Sequence, residues 1–334
     1  MRGGRARRRE PIDERAFHRW LARSARPEDG PVRALADDVA SLPVGKGTLL
    51  LTTDAFCEGV HFRPESPPRL VGRALAEANL SDLASKGAAP LGFLLDLLVP
   101  PGTPARWARD VVRGVRDSLR PYRVELLGGD TKPAARPTLV GTALGWVASP
   151  EIPARHRARP GDLVVVTGVV GRGGRAGLAL GGKRRLLGRE ARALLEVRAR
   201  VREGARLAPF VHAMTDTSDG VLESAHLIAE ASRTKLLLDP ETLPLDPELR
   251  RRVRSPTERL RVAGFGGDYE LFATMDPQRL LEARRALGRL RCPLTVIGSV
   301  RSGRGAFWQG ARGESPLPLA GWDPFRTGSA ALRR

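Results

Sequence analysis

Short apolar runs alternate along the chain with segments whose apolar positions recur every three or four residues, the pattern of strands feeding into helices. Strands are expected over Thr48–Thr53, Leu91–Val99, Val124–Leu127 and Thr138–Val147, then over Asp162–Thr167, Val211–Met214, Lys235–Leu238, Glu270–Met275 and Leu294–Val300. Helical periodicity covers Glu14–Arg26, where Phe17, Trp20 and Leu21 share one face, then Leu70–Lys86 and Pro104–Leu119, with Pro121 helping to end the latter. Later helices are expected over Arg172–Leu180, Glu190–Ala208, Val221–Ala231, Pro256–Val262 and Pro277–Leu290. A polar loop ends at Ala36-Asp37-Asp38, and Pro150, Pro153 and Pro160 punctuate an Arg-rich connector suited to a lobe boundary. This mixed βα alternation predicts two α/β (α+β) lobes, with no internal repeat visible. The boundaries predicted are a basic disordered tail at 1–12, lobes at 13–149 and 150–328, and a tail at 329–334.

Aspartates beside glycine, threonine and serine recur in short polar runs: Asp37-Asp38, Thr52-Thr53-Asp54, Ser81-Asp82, Gly128-Gly129-Asp130-Thr131, Asp216-Thr217-Ser218-Asp219-Gly220 and Gly266-Gly267-Asp268-Tyr269-Glu270. Several follow a strand directly, and strand ends deliver side chains from distant positions to one face. Carboxylates brought that close repel unless a hard cation with oxygen ligands lies among them, and Mg²⁺ carrying phosphates is the common case. Taken singly, each Asp also suits a turn after a strand.

The chain has 334 residues, 41% of them hydrophobic, and no apolar run of membrane-spanning length. The arginine-rich start lacks the apolar stretch of a signal peptide, and two cysteines, Cys57 and Cys292, provide no disulfide framework, so a cytoplasmic protein is expected. A net charge of +19 invites a nucleic-acid reading. Yet the basic residues are almost all Arg, spread over helix faces, and aromatics make up only 5%. Specific nucleic-acid binding is therefore not expected, whereas anionic, phosphate-bearing ligands are favoured.

Two phosphate-binding patterns fail on context. Gly177–Lys183 resembles a P-loop, but Arg184 stands where Ser or Thr would hold Mg²⁺. Gly171-Arg172-Gly173-Gly174 follows a strand, but no second strand ending in an acidic residue lies about 20 residues on. Gly128-Gly129-Asp130-Thr131 is stronger, since glycines admit a phosphate to the backbone and the Asp can hold its metal; it also suits a tight turn. Ser218 could cap the following helix or donate to a phosphate at its positive end. No His/Cys/Asp group has zinc spacing, and Cys57 lacks an oriented base.

In this order the runs resemble thiamine-monophosphate kinases, of the superfamily that includes aminoimidazole ribonucleotide synthase. Thr52-Thr53-Asp54 with Glu58-Gly59-Val60-His61-Phe62 resembles that family's TTD…EGVHF, and Asn79–Pro90 resembles its NLSDLAAMGAxP. Gly128–Thr131, Arg159-Pro160-Gly161-Asp162, Thr217-Ser218-Asp219-Gly220 and Gly321-Trp322-Asp323 match further blocks, so the likeness runs from Ala36 to Phe325. The resemblance implies a two-lobed fold whose N-terminal strands form a barrel in a homodimer, with a C-terminal α/β lobe. It implies Mg²⁺ on Asp38, Thr52, Thr53, Asp54, Asp82, Asp130, Asp216 and Asp219, with Asp54, Asp82, Asp130 and Asp219 catalytic. ATP would touch Gly129, Asp130, Arg155 and Ser218, and thiamine monophosphate would touch His61 and Trp322. Two residues depart from the family: Ala36 replaces a glycine, and Gly267 replaces the glutamate of GGEDYEL that holds substrate. A related enzyme with another phosphate- or carboxylate-bearing acceptor, or a nucleotide-binding protein without turnover, are the alternatives.

Overall fold

The computed structural model describes residues 37–149, 151–175 and 194–319, together with Ala16, Phe17, Trp20 and Arg192. Two mixed sheets organise them. The first holds β1 (Ala40–Val44), β2 (Gly47–Cys57), β3 (Ala89–Val99), β4 (Glu125–Gly128), β5 (Thr131–Pro133) and β6 (Thr138–Val147), in the order β1-β2-β6-β3-β4 with β5 beside β3. The second holds β7 (Leu163–Thr167), β8 (Ala213–Asp216), β9 (Lys235–Leu238), β10 (Leu271–Met275), β11 (Leu294–Arg301), β12 (Gly305–Gly310) and β13 (Gly313–Pro316), in the order β13-β12-β9-β11-β7-β10-β8. No described helix is long and apolar enough to cross a membrane.

Helices α1 (Pro68–Ala84) and α2 (Ala105–Leu119) cover one face of the first sheet. Prolines at 67 and 68 start α1 where a backbone N–H would have no partner. It is buried on almost every side, so Leu75, Leu80 and Leu83 join Leu50, Phe93 and Leu139 of the first sheet and Met214 and Leu271 of the second in one continuous core. In β7 and β10, Val165 and Ala273 face this core while Val164, Val166 and Phe272 face a second one beneath α4 (Val221–Ser232) and α6 (Pro256–Ala263). That two-sided burial is why both strands read as nearly continuous apolar runs, LVVVT and LFATM. Three further helices, α3 (Val201–Leu207), α5 (Pro247–Arg252) and α7 (Leu280–Gly288), complete the second half.

Most expected elements are present, and the exceptions have local causes. In the described part of the helix expected over Glu190–Ala208, Arg192, Leu194 and Leu195 are helical, the helix breaks over residues 196–200, and it resumes at Val201. Before it Leu195, Val197, Ala199 and Val201 are buried alternately with exposed Glu196 and Arg198, a period of two. There the Ala199 N–H donates to Glu77 Oε2 of α1 at 2.8 Å instead of continuing a helical ladder. Strands β1, β5, β12 and β13 were not expected; each is short or edge-lying, and depends on a partner strand rather than its own pattern. Of the helices at Glu14–Arg26 and Arg172–Leu180, only Ala16, Phe17, Trp20 and residues 172–175 lie within the described chain, and these are helical.

Glycines set the approach of α1 to α2. A Cβ on Gly72 would lie 2.1 Å from the Val111 carbonyl oxygen, and one on Gly114 would lie 1.9 Å from that of Arg69. Both obstacles are backbone, so neither can rotate away. Gly114→Ala, which would gain roughly 1 kcal/mol of helix propensity on an isolated helix, is expected instead to lower stability by about 1–3 kcal/mol as the helices are forced apart. Urea unfolding should show a lower midpoint at unchanged m; an equal or higher midpoint would refute the close contact.

Candidate functional site

The polar side of α1 meets the ends of strands from both sheets. Inner-face positions of β2 bring Thr52 and Asp54, α1 brings Asn79, Ser81 and Asp82, and β8 ends in Asp216. Carboxylate oxygens of Asp38, Asp82 and Asp216 lie within 4.8 Å of one another. Thr52 Oγ1 donates to Asp82 Oδ2 at 2.5 Å, and Ser81 Oγ donates to Asp216 Oδ2 at 2.6 Å. Asp54 is held from behind by its own N–H, which donates to Asn79 Oδ1 at 3.2 Å.

These carboxylates repel one another out of water. Burial, then the charges of Asp216 and Asp38, pushes the Asp54 carboxyl up to about 6. Burial with Asp54, Asp216 and Asp38 drives Asp82 well above the usual range, and burial with Asp38 raises Asp216. Asp38 goes the other way: burial works to raise it, but Arg155 and Lys86 hold it far below its ordinary value. Tyr269, at φ 54°, is raised well above the usual phenol by burial and by the charges of Asp54, Asp216, Asp219 and Asp82. Its strained backbone turns a phenol toward the aspartates.

Other expected site residues are distributed differently. Arg155 joins the cluster, bonding Asp38 through its guanidinium and donating Nε–H to Thr215 Oγ1 at 3.2 Å. Ser218 does not cap α4, whose N-cap is Gly220; its hydroxyl donates to Asp216 Oδ1 at 2.8 Å. Thr53 points to the opposite face of β2, where its hydroxyl donates to the Gly141 carbonyl at 2.9 Å. Asp130 is exposed beside Lys132 at 3.0 Å, three strand spacings or roughly 14 Å from Asp54 along the shared register Asp54–Gly141–Leu95. Gly129 there is obligatory, because a Cβ would lie 1.8 Å from the Leu95 carbonyl oxygen. His61 stacks on Phe56 at 4.9 Å and accepts the Cys57 N–H at Nδ1, while burial lowers it to about 4, so the ring is neutral. Trp322 lies outside the described residues.

Residues 36–147 match the family of the AIR synthase related protein, N-terminal domain, and residues 159–309 match that of its C-terminal domain. A thiamine-monophosphate kinase of Caulobacter vibrioides is 34% identical over 318 residues, covering 90% of this chain and 89% of that protein. The chain belongs to the thiamine-monophosphate kinase family. Among solved structures, AaThiL complexed with AMPPCP and TMP superposes with a TM-score of 0.74 at 28% identity, covering 87% of this chain and 91% of that one. A thiamine-monophosphate kinase of Stenotrophomonas maltophilia K279a gives 0.72 at 30% identity, covering 89% and 95%. Hydrogenase maturation protein HypE in complex with ATP shares the fold, with a TM-score of 0.67 at 19% identity.

Within the family frame, the block around Gly267 is a scaffold. Gly267 takes φ 96°, and a Cβ there would meet nothing closer than Leu194 Cδ2 at 3.9 Å. Space is therefore available for the family's glutamate, but the left-handed backbone would strain it by about 1–2 kcal/mol. The flanking carboxylates are spent on structure. Asp268 accepts the Gly171 and Arg172 N–H groups at 2.7 Å each, and Glu270 binds Arg200 Nε and the Thr167 hydroxyl at 2.7 Å. Sequence reasoning did not single out Lys86, Asn79 or Tyr269 as site residues. Closeness to Asp82 in the chain was the available signal for the first two, since Asn79 lies three residues before it on α1 and Lys86 four residues after it, just past the helix end.

Because ionisation is the costly form of Asp54, the stability it allows at low pH is lost as pH rises from about 4 through about 6 in metal-free protein. Asp54→Asn mimics the protonated form. In EDTA it should raise stability by about 1–3 kcal/mol at pH 8 and change little at pH 4. Equal effects at both pH values in thermal melts, or destabilisation at pH 8, would refute this.

Proposed function

We propose that the chain transfers the terminal phosphoryl group of ATP to thiamine monophosphate, giving thiamine diphosphate and ADP. The observation that carries the reading is the convergence of carboxylates at the junction of the two sheets, in a family whose members include a solved complex with AMPPCP and TMP. An oxygen of the acceptor phosphate attacks the γ-phosphorus, the bond from that phosphorus to the bridging β,γ-oxygen breaks, and ADP leaves. The attacking oxygen is already ionised near neutral pH, so no side chain has to remove a proton. The absence of an oriented His or Cys base from the described cluster suits that chemistry.

The donors around Asp54, Asp82 and Asp216 fit Mg²⁺, being all carboxylate and hydroxyl oxygen with more negative charge than they can hold out of water. Bound there, the ion would neutralise phosphate oxygens and align them for in-line displacement. The chain's own part is to fix the geometry: Thr52 and Ser81 orient Asp82 and Asp216, and Asn79 anchors the backbone of Asp54. Gly129 and Asp130 are assigned to the ATP phosphates with Ser218, and neutral His61 with Trp322 to the thiamine moiety. Asp219 is assigned to the cation-binding set beside Asp216.

Among the described residues, Leu91, Leu94 and Leu127 on the outer face of the first sheet are 53%, 37% and 60% exposed. A second copy of the chain is assigned to that face, making a homodimer, and the protein is placed in the cytoplasm with its substrates.

Incubation with ATP, Mg²⁺ and thiamine monophosphate should yield thiamine diphosphate, and Asp82→Asn should lower kcat by about 10³-fold or more, a loss of roughly 4 kcal/mol, with an intact circular dichroism spectrum. Slow ATP hydrolysis without thiamine diphosphate would reject the acceptor. Near-wild-type turnover of the variant would reject the site. In sedimentation velocity the chain should run at about twice its 36.2 kDa mass, and Leu94→Asp with Leu127→Asp should halve that. A monomeric wild type would overturn the dimer.

A further inference from the structure

Lys86 is fully buried, the one charged side chain among the largest fully buried ones of the described residues. A lysine out of water is costly unless its charge and all three donors are met. Here they are: Nζ lies 2.5 Å from Asp37 Oδ1, 2.6 Å from Asp38 Oδ2 and 2.8 Å from the Met214 carbonyl oxygen. Asp38 is equally saturated. Its Oδ2 also accepts from Ser85 Oγ at 2.7 Å, and its Oδ1 accepts from the Arg155 guanidinium and from Thr215 Oγ1 at 2.7 Å. Asp38 Oδ1 thus takes two donors, and Oδ2 takes Lys86 with a share of the Ser85 hydroxyl, which also lies 2.7 Å from the Asp82 carbonyl oxygen.

Charge divides along the same line. Asp37 and Asp38 face Lys86 and Arg155, two negative against two positive, a locally neutral quartet. Asp54, Asp82 and Asp216 form no ion pair with a lysine or arginine among the described residues, where Asp82 accepts one side-chain donor, Thr52. The quartet also ties the chain before β1 to the end of α1, to β8 and to the connector at Arg155, so it fastens the two sheets together. The family block NLSDLAAMGAxP has methionine where Lys86 stands.

We propose that Lys86 is a positioning residue, a fixed internal cation that with Arg155 removes Asp38 from the divalent-cation ligands and makes it a clasp between the sheets, leaving the cation to Asp54, Asp82 and Asp216. This rests on the reading of those aspartates as a cation site. In this protein one side of the acidic junction is then assembled without metal, and Lys86 does for Asp37 and Asp38 what a second divalent ion would otherwise do.

Mn²⁺ titration followed by the EPR signal of the free ion tests this on the full chain without reference to turnover. Asp38→Asn, which keeps an acceptor for Lys86 and Arg155, should leave Mn²⁺ affinity within about 3-fold of wild type, while Asp82→Asn should lose more than about 10-fold. Lys86→Met should bind one Mn²⁺ more per chain, and its melting temperature in EDTA should fall by more than about 5 °C and recover on adding Mn²⁺. Loss of more than about 10-fold in Asp38→Asn would overturn the inference, since Asp38 would then be a ligand while the site itself stood. An unchanged Mn²⁺ count in folded Lys86→Met would overturn it too. Should Lys86→Met fail to fold without metal, the Asp38→Asn comparison decides alone. A wild type that binds no Mn²⁺ would remove the cation site and this inference with it.

Discussion

Like charges held together away from water are the constraint on which the rest depends. Three carboxylates with oxygens inside 4.8 Å of one another would push a structure apart unless each is anchored and the excess charge has somewhere to go. The protein meets this in two ways. Arg155 and Lys86 cancel part of the charge permanently, and hydroxyls of Thr52, Ser81, Ser85, Thr215 and Ser218 each donate to a carboxylate oxygen. The remainder stays as carboxyls with raised proton affinity, a state that a dication would relieve.

Such a site needs a rigid frame, and α1 supplies it. The same helix that carries Asn79, Ser81 and Asp82 also buries Leu75, Leu80 and Leu83 in the core shared by both sheets. Its glycine contact with α2 leaves almost no freedom to translate. Moving a carboxylate by an ångström would therefore require repacking the core, which is how packing energy is converted into positional accuracy at the junction.

Phosphoryl transfer between two anions demands this arrangement more than it demands a base. The acceptor brings its own ionised oxygen, and the obstacle is the approach of negative charge to negative charge. A hard cation held on these fixed carboxylates, as proposed, would address that obstacle directly.

Much of this was legible along the chain, for a physical reason. Strand and helix periods are local, so β2, β3, α1 and the apolar runs of β7 and β10 declare themselves, and Asp54 and Asp216 stand at strand positions that can be read in order. The family blocks made the two-lobed fold and the cluster expectable. Even the break inside the helix expected over Glu190–Ala208 had a local sign, because buried Val197 and Ala199 alternate with exposed Glu196 and Arg198. What tertiary structure alone decided is partnership. Nothing local distinguishes Lys86 from a solvated lysine or separates Asp38 from the carboxylates it neighbours. Those outcomes depend on groups more than 40 residues away in most cases, and on burial, which sets whether a charge is cheap or costly. Residue type and spacing therefore determined which chemistry could be present, and the packing of α1 between two sheets determined which carboxylates remain free to perform it.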